Sequence, residues 1–133
     1  MADHAIPDDR SYTDDHEWVL IAPGAAIPDT PVKVGITSVA AAALGDLVFV
    51  DLPEAGSTVV AGETCGEVES TKTVSELLPP VSGTVTAVNA DAAADPSLVT
   101  ADPYGAGWLF EVAATAAGTL LTAAEYAEKN GVS

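Results

Sequence analysis

The sequence predicts a mainly β fold: a small sandwich or barrel of short strands with short helices, the last of them C-terminal. Three observations carry that prediction. Valine- and leucine-rich runs recur along the 133 residues, separated by proline and glycine turn signals, a spacing that favours an all-β domain over a parallel sheet. Aromatic residues make up only 5% of the chain, so the core has to be built mainly from valine and leucine on strands. Finally, residues 1–133 are one domain's worth of chain, enough for a core without a metal, and the single cysteine, Cys65, allows no internal disulfide.

The elements follow in order. Residues 1–11 are polar, acidic and proline-containing, and read as a loosely held tail. His16 to Ala22 reads as a strand, with Pro23-Gly24 and Pro28-Asp29 bracketing a turn region. Pro31 to Ile36 returns as a second strand with Val32, Val34 and Ile36 on one face. Thr37 is placed to cap a short alanine-rich helix from Ser38 to Leu44, which Gly45 ends. Leu47 to Leu52 is a strongly apolar strand, closed by Pro53 and a turn at Gly56, and Val59-Val60 is a short one. Cys65 to Ser70 and Thr73 to Leu78 form a hairpin that Pro79-Pro80 breaks. Thr84 to Val88 follows, with Val85 and Val88 as core candidates, and then a loop from Asn89 to Thr100 with one helical turn. Trp108 to Val112 is the last strand. Thr122 and Glu125 have the spacing of a capping box, opening a helix over 122–130 that Asn130-Gly131 stops.

Charge excludes several function classes. Four basic residues stand against 20 acidic ones, a formal net charge of −16. Nucleic acid and anionic membrane surfaces both demand clustered lysine and arginine, so neither is an expected partner. A field of this sign attracts basic surfaces on other proteins. No apolar run approaches a membrane span, and MADHAIPDD has neither the basic region nor the apolar stretch of a secretory signal. The expected location is cytoplasmic. Constellations for catalysis are missing too: no glycine-rich phosphate loop, no paired cysteines and no serine-centred elbow occur. Asp14-Asp15-His16-Glu17 reads as a solvated acidic segment entering a strand rather than a metal site, because neighbours on a strand face opposite ways. Cys65 reads as a small buried hydrophobe.

Lys72 stands apart. It is the only lysine between Lys33 and Lys129, and it lies in the short polar stretch between the two strands of the hairpin. A hairpin tip lifts a side chain clear of the protein, which suits a covalently carried prosthetic arm. Spacing alone leaves open the alternative of an ordinary solvated lysine.

The surrounding motifs decide between these. VESTKTVSEL around Lys72 resembles the lipoyl-attachment segment of the glycine cleavage system H protein family. The resemblance continues through YTDDHEWV from Tyr12, VGIT from Val34, LGDLVFVDLPEAG from Leu44, PPVSGTVTAVN from Pro79 and PYGAGWL from Pro103, in the family's order. It implies a lipoyl-domain-like barrel-sandwich hybrid with two quasi-symmetric halves. A faint echo fits: Leu52-Pro53 before Gly56, and Leu78-Pro79-Pro80 before Gly83, each lead into a valine-containing strand.

What the resemblance implies for function is specific. Lys72 would carry lipoate in amide linkage, and Glu17 and Glu76 would line a cleft for the aminomethyl-loaded arm. The partners implied are glycine decarboxylase (P protein), aminomethyltransferase (T protein), dihydrolipoamide dehydrogenase (L protein) and a lipoate ligase or lipoyl transferase. The chain would be a carrier, not an enzyme. Departures from the family pattern are Thr71 where valine is common, Val39-Ala40-Ala41 where an aromatic is usual, and Thr100 near a usual asparagine. Other readings of the same fold are a lipoate-relay protein, the lipoyl domain of a 2-oxo acid dehydrogenase, and a non-catalytic interaction protein. A biotinyl domain is disfavoured, because Thr71 and Thr73 stand where methionines flank the biotinyl lysine.

Overall fold

The computed structural model describes residues 6–130. Two antiparallel sheets face each other. Strands β1 (Ser11–Tyr12), β2 (Glu17–Val19), β3 (Val32–Ile36), β9 (Phe110–Ala117), β8 (Val81–Val88) and β5 (Thr58–Val59) form a six-stranded sheet in that spatial order. Strands β4 (Leu47–Asp51), β6 (Gly66–Ser70) and β7 (Val74–Leu77) form the second, with β4 and β7 at its edges. Among the described residues there are also four short helices: α1 (Ser38–Leu44), α2 (Ala90–Ala94), α3 (Ser97–Ala101) and α4 (Ala123–Lys129).

The core lies between the sheets. Val34, Val85, Phe110 and Val112 come from the larger sheet, Val50, Val68 and Leu77 from the smaller, and Ala41 and Leu44 from α1. Burying each valine or leucine is worth roughly 1.5–3 kcal/mol, so alternating aliphatic faces suffice where aromatics are scarce. The expected inward face of β3 is buried throughout, at Val32, Val34 and Ile36. A second cluster of Tyr12, Trp18, Leu121, Ala123 and Tyr126 holds α4 against β1 and β2. Trp18 lies so flat over Gly35 that a Cβ there would sit 2.6 Å from the indole ring. Glycine is required at that crossing.

Local signals account for the helix ends. Thr37 accepts the Ala40 N–H at 3.1 Å and starts α1, and Gly45, at φ 75°, ends it. Thr122 and Glu125 exchange both bonds of a capping box at the start of α4, and Asn130 caps its end. Gly131 lies outside the described residues.

Several boundaries differ from expectation, each for a visible reason. The strand expected from His16 is only Glu17–Val19, because His16 adopts φ 65° and closes a turn with its N–H on the Thr13 carbonyl. Part of the expected tail is firmly held, although residues 1–5 lie outside the described residues. Arg10 is buried, with its guanidinium 4.6 Å from the Trp18 ring centre and 5.3 Å from that of Tyr104, and Ser11 donates to the Ile21 carbonyl. The loop from Asn89 instead contains α2 and α3, the first capped by Asn89 and the second preceded by Asp95, whose carboxylate accepts the Ser97 N–H. Strand β9 begins at Phe110 but runs on through alanines to Ala117, because β8 pairs with it as far as Val81↔Ala117. Pairing outweighs alanine's weak strand preference. Strand β8 likewise starts earlier than expected, at Val81.

Candidate functional site

The β6–β7 hairpin raises Lys72 at its tip. Glu69 pairs with Val74 and the Ser70 N–H donates to the Thr73 carbonyl at 2.8 Å, leaving Thr71 and Lys72 as the two turn residues, both exposed. Such turns commonly rely on glycine or asparagine at positive φ. Here neither turn residue has positive φ, and Ser70 supplies the stabilisation: its hydroxyl accepts the N–H of Lys72 at 3.2 Å and of Thr73 at 3.1 Å. Ser70 itself is buried. Sequence reasoning passed over this residue. The signal was present, since a serine at a strand end ahead of a polar turn is a known side-chain turn former.

Beside the hairpin runs a cleft of about 130 Å³. Its walls are the Asp15–Glu17 turn, the α1 residues Ala40, Ala43 and Leu44, and the β6–β7 residues Val68, Ser75, Glu76 and Leu77, with Ile36 adding to the apolar surface. Glu17 and Glu76, distant in sequence, therefore line one cleft, but in unlike settings. Glu76 is exposed and pairs across the sheet with Glu67. By the alternation of β7 its side chain projects opposite to Ser75 and Leu77, so it sits at the rim. Glu17 is 1% exposed.

Burial governs the chemistry of Glu17. One carboxylate oxygen, Oε2, accepts the backbone N–H of Leu78, and the other, Oε1, is buried without a hydrogen-bond partner. Desolvation pushes its pKa well above the usual carboxylate value, more than the Leu78 N–H pulls it down, and the nearby Asp15 charge adds to the rise. An unpartnered acceptor in a cleft that also presents Ile36, Ala40, Leu44, Val68 and Leu77 is complementary to a cationic donor carried on an alkyl chain. Cys65 is half-buried against the core, and burial pushes its thiol up to about 12, so it is no thiolate at neutral pH.

The walls are joined from outside the cleft. The Tyr126 hydroxyl of α4 lies 2.7 Å from His16 Nδ1 and 2.8 Å from Thr37 Oγ1, and the Thr37 N–H donates to the His16 carbonyl at 3.0 Å.

A lysine lifted on a tight hairpin from a packed pair of sheets, with a narrow cleft alongside, has the layout of a carrier module rather than of a catalyst. The comparisons with known proteins agree. The model of the glycine cleavage H-protein family matches residues 10–131. Glycine cleavage system H proteins from Corynebacterium aurimucosum and Mycobacterium avium are 55% and 56% identical over 127 and 118 residues, covering 96% and 89% of this chain and 97% and 86% of theirs. The crystal structure of a glycine cleavage system H protein from Mycobacterium marinum superposes with a TM-score of 0.95 at 68% identity, covering 96% of this chain and all of the other. The chain belongs to the glycine cleavage H-protein family. Members of that family are lipoyl carriers that work with the other glycine cleavage components and are not themselves catalysts. Among the described residues no helix is long and apolar enough to cross a membrane.

Proposed function

We propose that Lys72 is the lipoyl attachment site and that the cleft holds the loaded arm through Glu17, with Glu76 at its rim. The observation that carries this reading is the orphaned, buried Oε1 of Glu17 in a partly aliphatic cleft beside the hairpin. Those surroundings fit the group. Ile36, Ala40, Leu44, Val68 and Leu77 offer aliphatic walls to an alkyl chain, and Glu17 offers an acceptor to an amine. When bound, lipoate supplies a disulfide that is opened as an aminomethyl group is taken up.

The protein's own residues do the rest. Ser70 fixes the turn so that Lys72 projects from a rigid base. The apolar walls exclude water from whatever enters the cleft, which slows hydrolysis. Glu17 would meet a cation in the cleft through Oε1, giving that buried oxygen the partner it lacks while Oε2 keeps the Leu78 N–H. The partners that follow are glycine decarboxylase, which supplies the aminomethyl group, the folate-dependent aminomethyltransferase, which removes it, dihydrolipoamide dehydrogenase, which restores the disulfide, and a lipoate ligase or transferase.

The test is intact and peptide mass after incubation with a lipoate ligase, lipoate and ATP. Wild type should gain one lipoyl group on the peptide containing Lys72, and Lys72→Arg should fold and gain none. A lipoyl mass on Lys33 or Lys129 would overturn the assignment.

A further inference from the structure

We propose that Tyr126, on the C-terminal helix and outside the cleft, is a positioning residue that sets the cleft's width by tying its two walls together. The inference rests on the cleft reading above only for its functional consequence; the tie itself is geometric. One wall is the turn that carries Asp15, His16 and Glu17, and the other is α1, which contributes Ala40, Ala43 and Leu44. The Tyr126 hydroxyl touches both, at His16 Nδ1 and at Thr37 Oγ1.

The phenol has one proton, so it donates to one of these groups and accepts from the other. Burial pushes its pKa up to about 12, so that proton stays in place at neutral pH. Its ring is fixed as well. Tyr126 is fully buried, stacks on Tyr12 at 5.2 Å between centroids, and meets the His16 ring edge-on at 5.7 Å. His16 needs such a hold, being the only non-glycine among the described residues with positive φ. Thr37 in turn caps α1 through the Ala40 N–H. Displacing the hydroxyl would leave the two walls joined by the Thr37 N–H on the His16 carbonyl and by the pairing of Glu17 with Ile36, and would loosen the His16 turn and the start of α1 together.

Tyr126→Phe keeps the stacked ring and removes only the tie. Thr122→Ala is the matched control, because it breaks the capping box of the same helix at a residue remote from the cleft lining. The first readout uses the chain without any arm: amide hydrogen exchange at Thr37 and Ala40. Tyr126→Phe should speed both by roughly three- to tenfold, the ratio one ordinary hydrogen bond supports, while Thr122→Ala should leave them unchanged and speed exchange within α4. The second readout is release of ammonia and formaldehyde from lipoylated, aminomethyl-loaded protein, which should be faster in Tyr126→Phe alone. Unchanged exchange at Thr37 and Ala40 in Tyr126→Phe would overturn the tie, as would equal acceleration by Thr122→Ala. Faster exchange with wild-type release would remove the positioning role. Wild-type protein that cannot be lipoylated at Lys72 would instead overturn the carrier assignment and leave the tie standing.

Discussion

Glu17 shows how far a residue's role can be read from its place in the sequence. The resemblance around the His-Glu-Trp motif implied a cleft carboxylate, and in the structure Glu17 lines a narrow cleft beside the hairpin. Its burial was not legible, because that depends on Leu78 and α1 being brought over it from later in the chain. Burial makes a pH prediction. An acid whose pKa is raised in the folded state binds more protons folded than unfolded between its ordinary value of 4.5 and the raised value. Stability from this group therefore falls as pH rises through that window and is level above it. Glu17→Gln keeps the shape and an acceptor for the Leu78 N–H but carries no charge. The variant should melt higher than wild type at pH 8 by thermal unfolding, and the gain should vanish near pH 4. A gain that grows toward low pH would mean that Glu17 is ionised and stabilising in the folded protein.

At the scale of elements, short-range chemistry was the legible part. Caps and stops placed α1 and α4 where they occur, since a Thr hydroxyl or a glycine acts on its immediate neighbours. The strands β8 and β9 outran their expected ends because register with a distant partner, not local preference, decides where a strand stops. The lysine hairpin mixes both. Its strands were visible from apolar runs, whereas its turn depends on one serine hydroxyl serving two N–H groups. Ser70→Ala should cost about 1–2 kcal/mol in chemical denaturation and slow acylation of Lys72 by a lipoate ligase. Ser70→Thr should recover most of both. An unaffected ligation rate in Ser70→Ala would show that the ligase reshapes the tip for itself.

Across the whole molecule, the charge of −16 is met by few internal partners. Among the described residues the ion pairs are Arg10–Asp9 and the exposed Lys129–Asp14. Most carboxylates therefore repel one another, and that repulsion is screened over about 10 Å at 0.1 M salt. Raising sodium chloride from low to moderate concentration should raise the melting temperature while weakening binding to the other glycine cleavage components, measured by titration calorimetry. The two trends should run in opposite directions, and a binding affinity indifferent to salt would assign recognition to shape. The free edge of β7 adds a consequence of a different kind. A strand edge displayed beside an exposed tip is a template for unwanted strand addition and aggregation. Just past the end of β7 Glu17 takes up the Leu78 N–H, and Glu76 opposite Glu67 sets like charges along the hairpin. The exposed hairpin is thereby made a poor template for strand addition by another chain.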